Sequence, residues 1–207
     1  MNLRHLAVSS SIFFTCCGAL AGSGGILGID HRLGYDDSSL WSSEKLKAVE
    51  YGSALLVVGA ALYEGSESRL GKTLWRSFDS MVTADVAAAA GKALIRRQRP
   101  IDGNDPDAFF RSGGDTSFPS GEMTHITAII TPWVLEYHKD TPAVWLLGAL
   151  PVYVATAKLN TQAHWQTDVL AGALLGVGAG YLMWKRPTSW SASVLPGGFS
   201  LGYRKTF

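Results

Sequence analysis

The sequence predicts an all-α protein, an antiparallel helical bundle followed by a short extended C-terminal tail. Its 207 residues are enough for one compact domain. Apolar or alanine-rich stretches of helical length follow one another along the chain. Short segments rich in Gly, Pro, Ser and Asp separate them, as expected for helix ends and loops. We therefore expect helices that pack antiparallel to their neighbours around one core.

The first 21 residues are predicted to be an export signal. Arg4 precedes a stretch of apolar and small residues, and the Ala-Leu-Ala sequence at 19–21 fits a cleavage site. An uncleaved anchor helix is the alternative interpretation of the same residues. Cys16 and Cys17 are adjacent and lie inside this stretch, so we expect no disulfide framework.

The helical domain is expected to occupy residues 22–186. Ser42 or Ser43 can cap its first helix, with Glu44 in the first turn. Pro100 ends the alanine-rich helix, and a loop follows it. The predicted helices span residues 43–64, 78–98, 120–138, 142–158 and 165–185, with a short additional helix near 68–76.

Residues 187–207 are predicted to be a linker and a C-terminal tail. Ser, Pro and Gly are frequent in the first part of this segment. Phe199, Leu201 and Tyr203 then alternate with other residues, which predicts a short amphipathic strand. We expect this strand to dock on the bundle.

The composition limits the partners of the chain. The formal net charge is only +1, so no electrostatic argument favours a nucleic-acid partner. The apolar stretches at 143–158 and 169–184 are each sixteen residues long, whereas a bilayer span needs about 20. Length therefore favours a buried helical core over a membrane protein, with two or three marginal spans as the alternative. Nothing in the sequence indicates the oligomeric state.

Cationic side chains and one helix start are expected to form an anion site. Lys92 and Arg99 are seven residues apart, which places them on one face near a helix C-terminus. Ser120 and Gly121 open the next helix, where free N–H groups attract anions. Lys158 lies at the end of the following helix. In an up-and-down bundle these helix ends meet.

A histidine and an aspartate at the start of the last helix supply a nucleophile to the same end of the bundle. His164 and Asp168 are four residues apart, or about one helical turn. His164 is expected to attack phosphorus through one ring nitrogen, while Asp168 holds the other N–H. The cations and the amides of Ser120 and Gly121 would neutralise the phosphate oxygens. We find no Cys/His cluster or HExxH spacing that predicts a metal site.

These residues resemble the three-part signature of the PAP2 superfamily, which groups type 2 phosphatidic acid phosphatases, class A acid phosphatases and vanadium haloperoxidases. The three parts are Lys92-x6-Arg99-Pro100, Pro119-Ser120-Gly121 and Lys158-x5-His164-x3-Asp168. The resemblance implies an all-helical bundle and metal-free hydrolysis of phosphomonoesters through a phosphohistidine, with no cofactor. Together with the predicted export signal, the expected location is the bacterial cell envelope, either the periplasm or the inner membrane with the active site facing the periplasm.

The sequence departs from the signature at three positions, since Ala157 and Lys158 stand where the family has a serine-arginine pair and Glu122 stands where it has a histidine. Lys158 stands where the family has arginine, so the charge is kept and the bidentate fork is lost. Glu122 stands where the family has a histidine that is thought to protonate the leaving oxygen. A glutamic acid with a pKa raised by burial could replace it, although the nearby cations oppose that shift. His125, about one turn further along the same face, is the alternative donor.

The expected function is hydrolysis of a lipid phosphate or pyrophosphate, or of a small phosphomonoester. One alternative is a non-catalytic protein that binds phosphate or a lipid phosphate through a degenerate site. The less favoured alternative is a vanadate-dependent haloperoxidase with vanadate on His164, although Glu122 stands where that chemistry expects a histidine. Arg96 and Arg97 are interpreted as surface charges, and Trp165 is interpreted as a packing residue.

Overall fold

The computed structural model describes residues 24–112, 116–186, 190–195 and 198–203. The predicted export signal at residues 1–21 lies outside the described residues.

The all-α prediction is confirmed, and most predicted helices match the structure closely. The described residues form five α-helices, which are α1 (Ser43–Glu64), α2 (Arg69–Ile95), α3 (Gly121–Tyr137), α4 (Ala149–Asn160) and α5 (Gln166–Lys185). Short 3₁₀ turns occupy Ser39–Trp41, Pro100–Asp102 and Pro142–Gly148. The last of these turns replaces the first half of the helix that was predicted for residues 142–158.

The prediction of two helices between residues 68 and 98 is wrong, because α2 is continuous. Its start is set by Ser68, whose hydroxyl accepts a hydrogen bond from the Gly71 amide at 2.9 Å. No Gly-Pro or Pro break follows inside the helix. The helix ends at Ile95 and not at residue 98, since Arg96 takes a left-handed conformation with φ of 43°.

Helix α3 lies at the centre of the bundle and packs against both α2 and α5. Gly172, Gly176 and Gly180 form a stripe on α5 that allows α3 to approach closely. A Cβ atom at Gly176 would collide with Thr127 Oγ1 and with the Thr124 carbonyl. This close packing aligns the N-termini of α3 and α5 at the same end of the bundle, where the C-termini of α2 and α4 also lie.

Within the described residues, three helical segments are long and apolar enough to cross a membrane. They are Ser43–Glu64, Pro142–Asn160 and Gln166–Lys185. Many of their apolar side chains face outwards, including Leu55 at 74% and Leu174 at 66% exposed. The sequence-based preference for a buried core is therefore corrected, because the 3₁₀ turn before α4 lengthens that segment to 19 residues and the apolar faces are not covered.

The C-terminal tail is extended, as predicted, but it forms a hairpin and not a single strand. Strand β1 (Trp190–Leu195) pairs antiparallel with β2 (Gly198–Tyr203), so that Trp190 is opposite Tyr203. The hairpin contacts α1 through β1. Pairing satisfies the backbone groups that a lone docked strand would leave open.

Candidate active site

His164 lies in the turn before α5 and is almost fully buried, with 1% exposure. Its Nδ1 lies 2.6 Å from the backbone carbonyl oxygen of Ser117. A carbonyl oxygen can only accept a hydrogen bond, so Nδ1 carries the proton in this contact. Nε2 faces the opposite direction, at 3.6 Å from Glu122 Oε2. The ring is thus held by its Nδ1, and its Nε2 faces the Glu122 carboxylate.

Asp168 contacts His164 less directly than its spacing predicted. Its Oδ2 lies 3.8 Å from Nδ1 of His164, beyond hydrogen-bond distance. The same oxygen accepts hydrogen bonds from the Ser117 hydroxyl and from the Trp165 amide, the latter at 2.9 Å. The difference arises because His164 precedes α5, whereas Asp168 sits inside its first turn and turns back to cap it. Asp168 therefore holds Ser117, and the Ser117 carbonyl holds the histidine.

Glu122 occupies the first turn of α3, and its carboxylate bridges two groups of the site. Lys158 Nζ donates a hydrogen bond to Oε1, while Oε2 faces His164. Burial raises the pKa of Glu122, but the nearby His164 ring and the charge of Lys158 together outweigh it. The net pKa is far below the usual value for glutamate, so Glu122 is ionised in this arrangement. Burial alone therefore does not keep Glu122 protonated, as a general acid needs to be.

Lys92 lies in the last turn of α2 and points towards the start of α3. Its Nζ donates to the Thr116 carbonyl at 2.9 Å, and a Cβ atom at Gly121 would touch its Cε. Burial lowers the pKa of Lys92 to about 8, an effect that Glu122 opposes and the positive charge of Arg99 reinforces. Lys92 therefore lies where the C-terminal end of α2 meets the start of α3.

Two buried polar atoms of the site lack a hydrogen-bond partner. In the described part of the chain, the buried side-chain atoms without a partner are Arg76 Nε, Arg99 Nε and Ser120 Oγ. The last two belong to the predicted anion site. A buried donor without a hydrogen-bond partner lowers the free energy of unfolding, which makes these atoms candidates to bind the oxygens of an anion.

The positions of Arg99 and Ser120 differ in detail from the sequence prediction. Arg99 is not on the α2 face of Lys92, because the helix ends at Ile95 and Arg99 begins the next turn. The Ser120 amide is already used, since it donates to the Asp168 carbonyl at 3.0 Å. The Ser120 hydroxyl, and not its N–H, is therefore the group available for a ligand.

His125 is buried one turn beyond Glu122, between α1 and α2. Its Nδ1 lies 2.9 Å from Asp85 Oδ2, and its Nε2 lies 3.4 Å from Ser53 Oγ. Burial lowers the pKa of His125, but the hydrogen bond and charge of Asp85 raise it above the usual value. Both ring nitrogens thus have partners on the neighbouring helices, whereas Glu122 faces His164 directly.

Sequence reasoning missed two residues of the site, Arg97 and Asp30. Arg97 was interpreted as a surface charge, yet it is 1% exposed and forms an ion pair with Asp168 at 2.6 Å. The left-handed turn at Arg96 directs Arg97 inwards, and no local pattern predicts that turn. Asp30 forms an ion pair with the other side of Arg97, at 2.6 Å, from a loop far away in the sequence.

The site combines cationic side chains with carboxylates that pair with them. Among the residues that the structure describes, no group of three or more His, Cys, Asp or Glu side chains is arranged to hold a metal ion. Glu122 and Asp168 are each paired with a cationic side chain. The arrangement can bind an anion and can move a proton between His164 and Glu122.

Comparison with known proteins agrees with the signature. The family model described as PAP2 superfamily matches residues 73–191, more than half of the chain. The fold is similar to the crystal structure of LpxE from Aquifex aeolicus, with a TM-score of 0.51. That similarity covers 69% of this chain and 85% of the other at 17% identity, so it concerns the fold alone. No curated protein matches the sequence significantly.

Proposed function

The chain belongs to the PAP2 superfamily, and we propose that it is a metal-independent phosphatase that forms a phosphohistidine on His164. Its substrate is a phosphomonoester, a lipid phosphate or a lipid pyrophosphate. The observation that carries this proposal is the arrangement around His164. Nε2 faces Glu122 at 3.6 Å, and the buried donors Arg99 Nε and Ser120 Oγ lack partners within the described chain.

Phosphate would bind among the cations of Lys92, Arg99 and Lys158. Lys158 is paired with Glu122, so an incoming phosphate competes for its ammonium group. The Ser120 hydroxyl and the start of α3, including Gly121, would contact further oxygens. A phosphate dianion beside Glu122 raises the pKa of that carboxyl, because like charges disfavour ionisation.

In the first chemical step one proton moves twice, from His164 to Glu122 and then from Glu122 to the leaving oxygen. In the proposed cycle His164 starts with a proton on each ring nitrogen, and Glu122 takes the one on Nε2 as phosphate enters, which frees the lone pair of Nε2. Nε2 then attacks phosphorus, and the bond from phosphorus to the ester oxygen breaks. Glu122 gives its proton to that leaving oxygen, so the alcohol departs neutral. Because Nδ1 donates to the Ser117 carbonyl at 2.6 Å, the ring keeps its orientation throughout.

The second step returns the site to its starting state. The Glu122 carboxylate accepts a proton from a water molecule as the water oxygen attacks phosphorus. The phosphorus–nitrogen bond breaks, and Glu122 returns the proton to Nε2 of His164. Asp168 contributes by holding Ser117, and through it His164. His125 remains a candidate second donor in this proposal, with Asp85 as its partner.

The rate of phosphate release in the presence of a metal chelator tests the proposal. Purified protein is expected to release phosphate from p-nitrophenyl phosphate or from a short-chain phosphatidic acid at the same rate with and without EDTA. Loss of activity in EDTA, restored by a divalent cation, would contradict the metal-independent mechanism. Phosphate binding without turnover of either substrate would favour the non-catalytic alternative. Halide oxidation that requires vanadate and peroxide would identify a haloperoxidase.

The pH dependence is expected to follow Lys92. Its pKa is lowered to about 8, so its ammonium group loses its proton above that pH in the free enzyme. Phosphate binding needs the charged form, and kcat/KM should therefore fall above about pH 8, whereas kcat should fall only at higher pH. Lys92→Arg keeps the charge at every pH and should remove this alkaline decrease. Lys72→Arg, exposed at the other end of α2, is the matched control. An unchanged decrease in Lys92→Arg would exclude Lys92 as its cause.

The exposed apolar helices support a location in the inner membrane with the site facing the periplasm. If residues 1–21 direct export, residue 24 emerges outside, at the same end of the bundle as the site. A cysteine at Asp105, in the loop near the site, should react with an impermeant maleimide in cells with an opened outer membrane. A cysteine at Lys139, between α3 and α4, should react only after the inner membrane is opened. The reverse labelling would contradict this orientation.

A further inference from the structure

We propose that Asp30 and Arg97 are positioning residues for the nucleophile, so that the segment before α1 forms part of the active site. The inference rests on the proposed function, since it concerns how His164 is held for attack. The family signature includes neither residue.

The two residues extend the site into a buried chain of charges. Arg97 Nη1 lies 2.6 Å from Asp168 Oδ1, and Arg97 Nη2 lies 2.6 Å from Asp30 Oδ2. The side chains of the three residues are 1%, 0% and 0% exposed, in the order Arg97, Asp30 and Asp168. Buried ion pairs are strong only where every partner is present and correctly placed. Removing one member leaves another charge buried without compensation.

Asp30 is fixed by more than its ion pair with Arg97. Its Oδ1 accepts the Thr167 amide at 2.8 Å, and its Oδ2 accepts the Thr167 hydroxyl at 2.7 Å. The Thr167 amide is one of the free N–H groups at the start of α5. Asp30 therefore acts as a cap for α5 from a distant part of the sequence, and it places the helix turn that carries Asp168.

The chain of contacts continues from Asp168 to the reactive ring. Asp168 Oδ2 accepts the hydroxyl of Ser117, and the carbonyl of the same Ser117 accepts Nδ1–H of His164. A displacement of Asp168 therefore reaches His164 through one intervening residue. An error in the ring's position of even about 1 Å can cost about 100-fold in rate.

Contacts on both sides of Asp30 hold the segment on the loops of the site. The Asp30 amide donates to the Gly24 carbonyl at 2.8 Å, and the His31 amide donates to Gln166 Oε1 at 3.0 Å. Arg32 Nε donates to Gln162 Oε1 at 2.8 Å. The bonds of His31 and Arg32 act across more than 100 residues of sequence, so the segment depends on tertiary structure for its position.

Kinetics of Asp30→Asn test the proposal. The amide has nearly the same shape but no charge, and it should lower kcat for p-nitrophenyl phosphate by about 10- to 100-fold. KM and the binding of inorganic phosphate should change by less than about 3-fold, because the phosphate cations are not altered. Asp36→Asn, in the same segment but bonded locally to Ser38, should behave as wild type. Asp30→Asn with wild-type kcat, or with a loss confined to phosphate binding, would overturn the proposal.

A second measurement does not depend on turnover. The Nδ1 proton of His164, bonded at 2.6 Å and buried, should give a downfield NMR signal that is absent from His164→Ala. Asp30→Asn should shift or broaden this signal, whereas Asp36→Asn should leave it unchanged. A wild-type signal in Asp30→Asn would overturn the positioning role even if the protein hydrolyses no phosphate. A shifted signal in a protein without turnover would support the positioning and contradict the proposed function alone.

Discussion

Replacing His164 by alanine is expected to lower kcat for phosphate-ester hydrolysis by at least about 10⁴-fold, because the covalent route then has no nucleophile. The cations that bind phosphate remain, so inorganic phosphate should still bind. Nε2 is the atom that matters, since Nδ1 already donates to the Ser117 carbonyl at 2.6 Å. No other histidine faces Glu122 within the described residues.

The covalent intermediate gives the decisive measurement for this variant. Acid-labile and alkali-stable phosphate should remain on the wild-type protein after rapid quenching with alkali, and His164→Ala should carry none. His138→Ala is the matched control, because His138 bonds only to backbone carbonyls of α3 near the other end of the bundle. Substantial turnover by His164→Ala would show that water or another group attacks phosphorus.

Replacing Glu122 by glutamine is expected to lower kcat by about 10²- to 10⁴-fold, because the amide can neither accept nor donate the transferred proton. The loss should be larger for an alkyl phosphate such as glycerol phosphate than for p-nitrophenyl phosphate. Nitrophenolate is a weak base and departs readily without a proton. An alkoxide is a strong base, so its oxygen must be protonated before it departs readily. Removal of the carboxylate also frees Lys158, so inorganic phosphate should bind more tightly to the variant.

The ratio of the rates for the two substrates shows whether Glu122 or His125 is the general acid. Glu67→Gln, an exposed substitution outside the site, should leave this ratio as in wild type. His125→Asn should change it less than Glu122→Gln, because both nitrogens of His125 already have partners on α1 and α2. A large change in His125→Asn together with normal activity in Glu122→Gln would make His125 the acid.

Periodicity and spacing predicted α1, α3 and α5 closely, whereas α2 begins earlier and α4 begins later than predicted. Ser42 and Glu44 predicted the start of α1, and Pro100 the loop after α2, because caps and breakers act locally. The alternation of helix directions then predicted which helix ends meet. Lys92, Glu122 and Lys158 were expected together for this reason, and their charges do act on one another.

The sequence by itself determined the fold class, the family and the residues that gather at one end of the bundle, since each rests on local pattern or on motif order. Only the tertiary structure decided how those residues are held. The Ser117 carbonyl and not Asp168 bonds His164, and Arg97 turns inwards to join Asp30 and Asp168. Glu122 is ionised because Lys158 and His164 reach it from two other segments. These features depend on distances between residues far apart in the chain, which no local pattern encodes.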